Sequence, residues 1–460
     1  MDAMMDLREA AHGSGGEARG ANARFAAVSS DTRTIKDGAL FVALRGERFD
    51  GHEYIAAARA HGAVAAMVDR RAPTVSADSP LPLLVVDDTR LGLGRLAAYW
   101  RRKFKLPLIA VAGSNGKTTV KEMIASILAE HAGAGRSCAT PGNLNNDIGL
   151  PLTLLGLRAE HSCAVVELGM NHPGEIAYLA AIAQPTVALV NNAQREHQEF
   201  MQSVEDVARE HGTVFSALPA DGVAVINADD TYADYWRGAC APRRVLDFGL
   251  DRPAAVGGRC ELRDFGSEIV LRMPEGSVPV SLHAAGVHNA RNALAAAAAA
   301  AAAGVGLAAI ARGLALFHPL QGRLQKKTGT RGAVVLDDTY NANPDSVIAA
   351  IAVLARAPGN KFLVLGDMGE VGTHGVAFHA EIGRHARASG IDGLFVLGEL
   401  CTHAAAAFGE GAQHYGDIGA LLAALEPCLG AGVTVLIKGS RFMRMERVVQ
   451  ALADGPARGH

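Results

Sequence analysis

Five apolar residues, Leu108-Ile109-Ala110-Val111-Ala112, run directly into Gly113-Ser114-Asn115-Gly116-Lys117-Thr118-Thr119, and helix-forming residues follow from Val120 to Leu128. Strand, glycine loop and helix in that order start a parallel α/β sheet around a phosphate loop, which excludes most other folds for this stretch. Gly113 and Gly116 let backbone N–H groups curl around phosphate oxygens, and the helix N-terminus adds the positive end of its dipole. Lys117 is expected to reach the β- and γ-phosphates, and the Thr118 hydroxyl to ligate Mg2+. The commoner loop has four residues between its first glycine and the Gly-Lys pair, and that first position here is Val111. The shorter loop still predicts ATP or a similar nucleotide, bound by Gly113, Ser114, Asn115, Gly116, Lys117, Thr118 and Thr119.

A chain of 460 residues exceeds one ordinary domain and fits two to four. Apolar runs alternate with helical stretches through most of it, which predicts α/β architecture. Strands are expected at 38–44, 63–68, 83–86, 108–112, 164–167, 187–191, 223–227, 333–338, 362–365, 394–397 and 433–437. Helices are expected at 54–61 and 93–104, with a proline-rich stretch from Ala72 to Pro82. The expected division is a small mixed α/β domain over 1–105, a central P-loop parallel-sheet domain over 106–318, and a Rossmann-like C-terminal domain over 319–460.

A formal net charge of -3 offers no polycation for nucleic acid. The first two dozen residues lack the apolar core of a signal peptide, and no run approaches a membrane span. The alanine-rich run Ala293 to Ala303 reads as a tightly packed helix of a soluble domain. Six scattered cysteines show no ligand spacing and are expected as reduced thiols. A cytoplasmic protein is expected.

Other motifs leave two readings open each. The amide-rich Thr140 to Pro151 segment, with Asn143, Asn145 and Asn146, suits either a loop that bonds a polar substrate or a solvated turn. Glu167 ends an apolar strand, where ligands gather in open α/β sheets, so it is a candidate second Mg2+ contact or an edge residue. His197, in Ala193-Gln194-Arg195-Glu196-His197, is a metal or phosphate ligand or plain polar surface. Asn289 and Asn292 share a helical face and suit either an adenine edge or a polar first turn.

At the N-terminal end, Ser30, Asp31 and Arg33, and then Arg45, Gly46, Asp50, Gly51 and His52, supply hydroxyls and guanidinium forks suited to a diphosphate or uridine. At the other end, the stretches from Asp337 to Ser346, Gly366 to Glu370 and Lys438 to Arg441 each follow an apolar strand. They are expected to crowd one rim, with ribose on one side and a charged peptide on the other. Arg323 is expected near the γ-phosphate.

Together, from Ser30 to Arg441, these motifs resemble the Mur ligases. The most specific are the short P-loop, Asn143-Leu144-Asn145-Asn146 with Gly149-Leu150-Pro151, and Glu167-Leu168-Gly169-Met170-Asn171. The three C-terminal stretches resemble the members that add D-alanyl-D-alanine to a UDP-linked muramoyl tripeptide, and no Asn-Pro-Arg signature of the diamino-acid-adding members is present. The resemblance implies amide formation through an acyl phosphate, with ATP and Mg2+, in a monomer. It implies Lys117 and Arg323 as catalytic groups, and Thr118, Glu167 and His197 as metal ligands. Asn289 and Asn292 would contact adenine, and Asp338 the ribose. Ser30, Asp31, Arg33, Arg45, Gly46, Asp50, Gly51 and His52, with Asn143, Asn145 and Asn146, would face the UDP substrate. Tyr340, Asn341, Asn343, Lys438 and Arg441 would lie on the D-alanyl-D-alanine side.

One departure stands out. Family members often carry an Ala-Lys-x-Glu stretch whose lysine is carbamylated and helps hold the second metal, and His211 occupies the corresponding position in Ala208-Arg209-Glu210-His211. Two rival readings are a sister ligase that adds a different amino acid or extends folate with glutamate, and a non-catalytic nucleotide-binding switch or scaffold.

Overall fold

The structure, a computed structural model, describes residues 3–72 and 79–453. Residues 73–78 of the proline-rich stretch lie outside the described residues.

The N-terminal region forms a five-stranded sheet in the order Glu17–Arg19, Leu83–Val86, Ala63–Asp69, Ala39–Val42, Ala27–Ser29, antiparallel at the first pairing and parallel elsewhere. Its three inner strands are apolar on both sides because both faces are covered there. Leu40, Val42, Met67, Leu84 and Val86 pack on one face, and Phe41, Val68, Leu83 and Val85 with Ile55 on the other. The first core continues into the next domain through Trp100, Leu106 and Leu108. The buried Arg101 stitches the junction, donating to the carbonyls of Ala183, Phe104 and Leu106.

Two helices differ from their sequence expectation. The one expected over 54–61 opens as a 3-10 turn at Gly51–Tyr54 before Ile55–Ala60, because the Asp50 carboxylate accepts the His52 N–H. The one expected over 93–104 spans Thr89–Arg101, since Asp88 caps it by accepting the Leu91 N–H.

The central sheet is six-stranded and wholly parallel, in the order Arg244–Phe248, Val223–Asn227, Val187–Val190, Leu108–Ala112, Cys163–Glu167, Ser137–Ala139. From Leu108–Ala112 the chain moves to one edge, returns, and then builds outward on the other side. That reversal opens a crevice at the carboxyl end of Leu108–Ala112, where the glycine loop begins.

Helix Lys117–Ala132 leaves the loop and packs with the alanine helix Val287–Ala302, whose residues Ala293 to Ala300 are fully buried. The small side chains let the two backbones approach closely. A three-stranded antiparallel sheet, Gly257–Leu262, Ser267–Met273 and Gly276–Leu282, packs on the same core. Sequence reading did not anticipate it. Its middle strand alternates buried and exposed residues, so its apolar signal is half that of the parallel strands.

The C-terminal sheet runs Gln325–Thr328, Val334–Asp338, Val433–Lys438, Asn360–Gly366, Gly393–Leu397, Ala412–Tyr415, with only the first strand antiparallel. Separate cores cover its two faces.

Candidate active site

The glycine loop is held by the end of the neighbouring strand. Ser114 N–H donates to Asn192 O at 3.0 Å and Asn115 N–H to Asn192 Oδ1 at 2.8 Å, while Asn191 Nδ2 donates to Asn115 O at 2.8 Å. Gly116 sits at φ 81°, and a Cβ there would lie 2.5 Å from Asn292 Oδ1, so both conformation and space demand glycine. Lys117 Nζ donates to Ser114 O at 3.0 Å and pairs with Glu196 Oε2 at 3.3 Å. The Thr118 hydroxyl donates to Glu167 Oε1 at 3.1 Å and accepts from Arg323 Nη2 at 2.9 Å.

Asn145 Nδ2 also donates to Glu167 Oε1, at 2.8 Å, so the amide-rich loop reaches the carboxylate that accepts from Thr118. Lys121, which sequence reading passed over, is fully buried and ties the helix to that loop through Glu122, Thr140 O and Gly142 O. Glu167 is 2% exposed, and its second oxygen has no hydrogen-bond partner. An uncompensated buried carboxylate oxygen beside a hydroxyl fits a hard divalent cation, which Thr118 and Glu167 would hold together.

The stretch from Gln194 to Phe200 passes the same crevice. Glu196 is buried with Lys117 on one oxygen and His211 Nε2 at 2.8 Å from the other. Burial pushes its carboxyl up, but Lys117, His211 and His197 outweigh that and hold it at about 2. Burial lowers His211, against the pull of Glu196. A carboxylate only accepts, so a neutral His211 carries its proton on Nε2. His197, at a left-handed φ of 50°, sets Nδ1 2.5 Å from Glu370 Oε2 and Nε2 3.7 Å from Glu196 Oε2.

The C-terminal rim closes the other side. The stretches around Asp338, Gly366 and Lys438 do converge: Lys438 Nζ reaches Asp338 Oδ2 at 2.6 Å and Asn341 O at 2.9 Å, Ser440 N–H donates to Asp367 O, and Gly369 N–H to Ser440 Oγ. Arg323 lies 3.8 Å over the Tyr340 ring. Asn343 caps helix Pro344–Arg356 and exchanges hydrogen bonds with Asn115 of the glycine loop. Arg195, another residue not singled out from sequence, forks onto Asp345 at 2.7 Å and Glu381 at 2.8 Å.

Between central and C-terminal domains these groups line a cleft of about 1350 Å³. Ser114 to Thr119, Asn145, Asn146, Glu167, His197, Asn289, Asn292, Arg323, Asp338, Tyr340, Asn341, Asn343, Lys438 and Arg441 all face it. Asn292 Nδ2 donates to Asn289 Oδ1 at 3.1 Å, so the two share a face, and Asn292 Oδ1 accepts from Asn191 Nδ2. Gly113 opens the loop at φ 134° without lining the cleft, and Asn143 is exposed beside it.

The N-terminal candidates are not brought into this cleft. Arg33 forks onto Asp31, Arg45 pairs with Asp50 and Asp69, and the buried His52 is held between Asp50 Oδ1 and the Asp69 N–H. Ser30, Gly46 and Gly51 stand beside them in the same two loops. Elsewhere, Asp367, His379 and Cys401 cluster in the C-terminal core, but Asp367 accepts the Leu400 and Cys401 N–H groups and both His379 nitrogens are committed to backbone. They are a folding network. The six cysteines are free.

A parallel-sheet phosphate loop facing a second α/β domain, with a lysine, a hydroxyl and an unpaired buried carboxylate between them, defines a nucleotide-dependent enzyme. Sequence comparison agrees with that class. The profiles "Mur ligase family, catalytic domain", "Mur ligase middle domain" and "Mur ligase, glutamate ligase domain" match residues 24–101, 111–300 and 322–441. The chain belongs to the Mur ligase family. It is 42% identical over 443 residues to the UDP-N-acetylmuramoyl-tripeptide–D-alanyl-D-alanine ligase of Escherichia coli, covering 95% of this chain and 96% of that one. Its fold is similar to the crystal structure of MurF from Acinetobacter baumannii, at TM-score 0.90 and 34% identity over 98% of this chain and 100% of that one. It is also similar to MurF ligase from Thermotoga maritima in complex with ADP, at TM-score 0.79 and 26% identity over 92% and 96%.

Proposed function

We propose that the protein joins D-alanyl-D-alanine to UDP-N-acetylmuramoyl-tripeptide, consuming ATP and giving the UDP-muramoyl-pentapeptide used in peptidoglycan synthesis. The observation that carries this reading is the 42% identity to the E. coli ligase over 95% of the chain, and the cleft supplies groups suited to the chemistry. In this reading the tripeptide's terminal carboxylate attacks the γ-phosphate, ADP leaves, and the free amine of D-alanyl-D-alanine displaces phosphate from the acyl phosphate. Phosphorylation is needed because a carboxylate is a poor acyl donor.

Lys117 and Arg323 would stabilise charge on the transferring phosphoryl group, with the loop amides cradling the other phosphates. Asn289 and Asn292 would take the adenine, and Asp338 the ribose. Mg2+, with Thr118 and Glu167 on one ion and His197 on a further one, would add charge neutralisation at the phosphates. Residues 1–105 would carry the uridine nucleotide through Ser30, Asp31, Arg33, Arg45 and Asp50 to His52, with Asn143, Asn145 and Asn146 toward its peptide. Tyr340, Asn341, Asn343, Lys438 and Arg441 would receive the dipeptide. Contact of the C-terminal domain with the glycine loop through Asn343 would exclude water from the acyl phosphate.

Among the described residues no helix is long and apolar enough to cross a membrane. A monomer acting in the cytoplasm, in support of cell shape and division, completes the reading. Phosphate release should require ATP, the UDP-linked tripeptide and D-alanyl-D-alanine together, with the UDP-pentapeptide seen by mass. Release indifferent to the dipeptide, but revived by a single amino acid or glutamate, would move the chain to a sister ligase.

A further inference from the structure

His211 stands where the family resemblance leads one to expect a carbamylated lysine, and the structure puts it out of the cleft. Its side chain is fully buried, and its Nε2 is spent on Glu196 Oε1 at 2.8 Å. Glu210, the other acid of that stretch, is also spent: its two oxygens accept the N–H groups of Gly174 and Ile176 at 2.9 Å each. What faces the cleft is Glu196, 6% exposed, with Oε2 directed at Lys117 Nζ at 3.3 Å and His197 Nε2 at 3.7 Å.

We propose that Glu196, fixed by His211, is this chain's own carboxylate for a second divalent cation beside the nucleotide, so that the site needs no carbamylated lysine. The inference rests on the ATP and Mg2+ reading above. A triphosphate on the glycine loop competes for Lys117, because an ammonium between a carboxylate and three phosphates moves toward the greater charge. Glu196 Oε2 and His197 Nε2 then stand opposite each other as a hard oxygen and an imidazole nitrogen. Their 3.7 Å separation is wider than the roughly 3.0 Å between neighbouring ligands of an octahedral cation with bonds of about 2.1 Å, so the two side chains draw together by several tenths of an ångström as the cation enters.

The imidazole is already set for this. Glu370 Oε2 stands 2.5 Å from Nδ1, and a proton kept on that nitrogen beside the carboxylate leaves the Nε2 lone pair facing Glu196. His211 plays the same part for the carboxylate, donating from Nε2 to Oε1 and leaving Oε2 to Lys117 until that lysine turns to the phosphates. Glu196 thereby puts a carboxylate at the end of a two-residue prop, as a carbamate would put one at the end of a lysine stem.

The test is Mn2+ titration, followed by electron paramagnetic resonance, of the full chain with a non-hydrolysable ATP analogue in bicarbonate-free buffer. Wild type should bind two Mn2+ per chain, and added bicarbonate should change nothing. Glu196→Gln, which keeps the shape and a contact to His211, should hold one Mn2+ as before and weaken the second at least about tenfold, with analogue affinity retained. His211→Leu should lose the second ion likewise, whereas His211→Gln, which keeps an N–H donor, should retain it. Two ions in Glu196→Gln, or a second ion in wild type only after bicarbonate is added, would overturn the inference alone. A wild-type chain that binds neither analogue nor Mn2+ would overturn the ATP reading and this inference with it.

Discussion

Lys117 is the residue on which most of the site's charge converges. It lies at the start of its helix, pairs with a buried carboxylate and touches the loop carbonyl of Ser114. Lys117→Ala should lower turnover at least about 100-fold, as loss of a preorganised transition-state donor does, and near-normal ADP release would refute the site. Its partner gives a pH prediction. Glu196 is held at about 2, below its ordinary 4.5, so its contribution to stability is fully present above pH 4.5 and lost as pH falls toward 2. Urea unfolding midpoints between pH 6 and 3 should therefore fall less in Glu196→Gln than in wild type, and parallel acid limbs would contradict the pairing. Sequence reading singled out His197 and left Arg195 and Glu196 beside it unassigned. Their role depends on His211, Asp345 and Glu381, up to 186 positions away, and no local spacing carries that. Lys117, Thr118 and Glu167 were legible because adjacent strand ends bring them together by fold rule alone.

At the scale of elements, the inner parallel strands were readable because burial on both faces leaves continuous apolar runs, whereas the partly exposed parallel edge strands Ala27–Ser29, Ser137–Ala139, Arg244–Phe248 and Ala412–Tyr415 were not. The amphipathic sheet at 257–282 was not, and neither were helix starts set by side-chain caps such as Asp88. The packing that seats the phosphate-loop helix was equally hidden. In helix Leu307–Leu316, Gly313 lies so close to Lys117–Ala132 that a Cβ would sit 2.4 Å from Ile127 Cα, and Ser126 Oγ donates to Gly313 O at 2.7 Å. Backbone cannot yield as a flexible side chain can. Gly313→Val should therefore destabilise the protein by at least ~2 kcal/mol, because overpacking against a backbone outweighs the slightly better helix propensity of valine. Gly238, inside helix Ala233–Cys240 with open space around its Cβ position, is the matched control: Gly238→Ala should stabilise by ~0.5–1 kcal/mol. Equal unfolding midpoints for the two variants would show that helix propensity, not close approach, governs Gly313.

For the whole molecule, the decisive link is the grip of the C-terminal domain on the stretch from Arg195 to Glu199. Arg195 forks onto Asp345 and Glu381, its backbone N–H donates to Asp345 at 2.8 Å, and Glu199 N–H donates to Glu370 O. Although burial works against the charged form, Asp345 and Glu381 raise the Arg195 guanidinium above its ordinary range. The contact is a quarter exposed, so water screens part of it and its worth is below that of a sealed pair. Its position still matters more than its strength. The same stretch holds Glu196 and His197, so the charges that hold the domains together also hold the proposed cation ligands in line. Arg195→Ala should leave ATP-analogue affinity within about threefold, because the glycine loop is untouched, yet lower turnover by roughly 10- to 100-fold through lost positioning. Small-angle scattering with the analogue should give a larger radius of gyration than wild type. Asp345→Ala should produce the same change, and the double variant little more, since both remove one contact. If Arg195→Ala keeps both turnover and compactness, the bridge is incidental and closure must rest on the Asn115–Asn343 exchange instead.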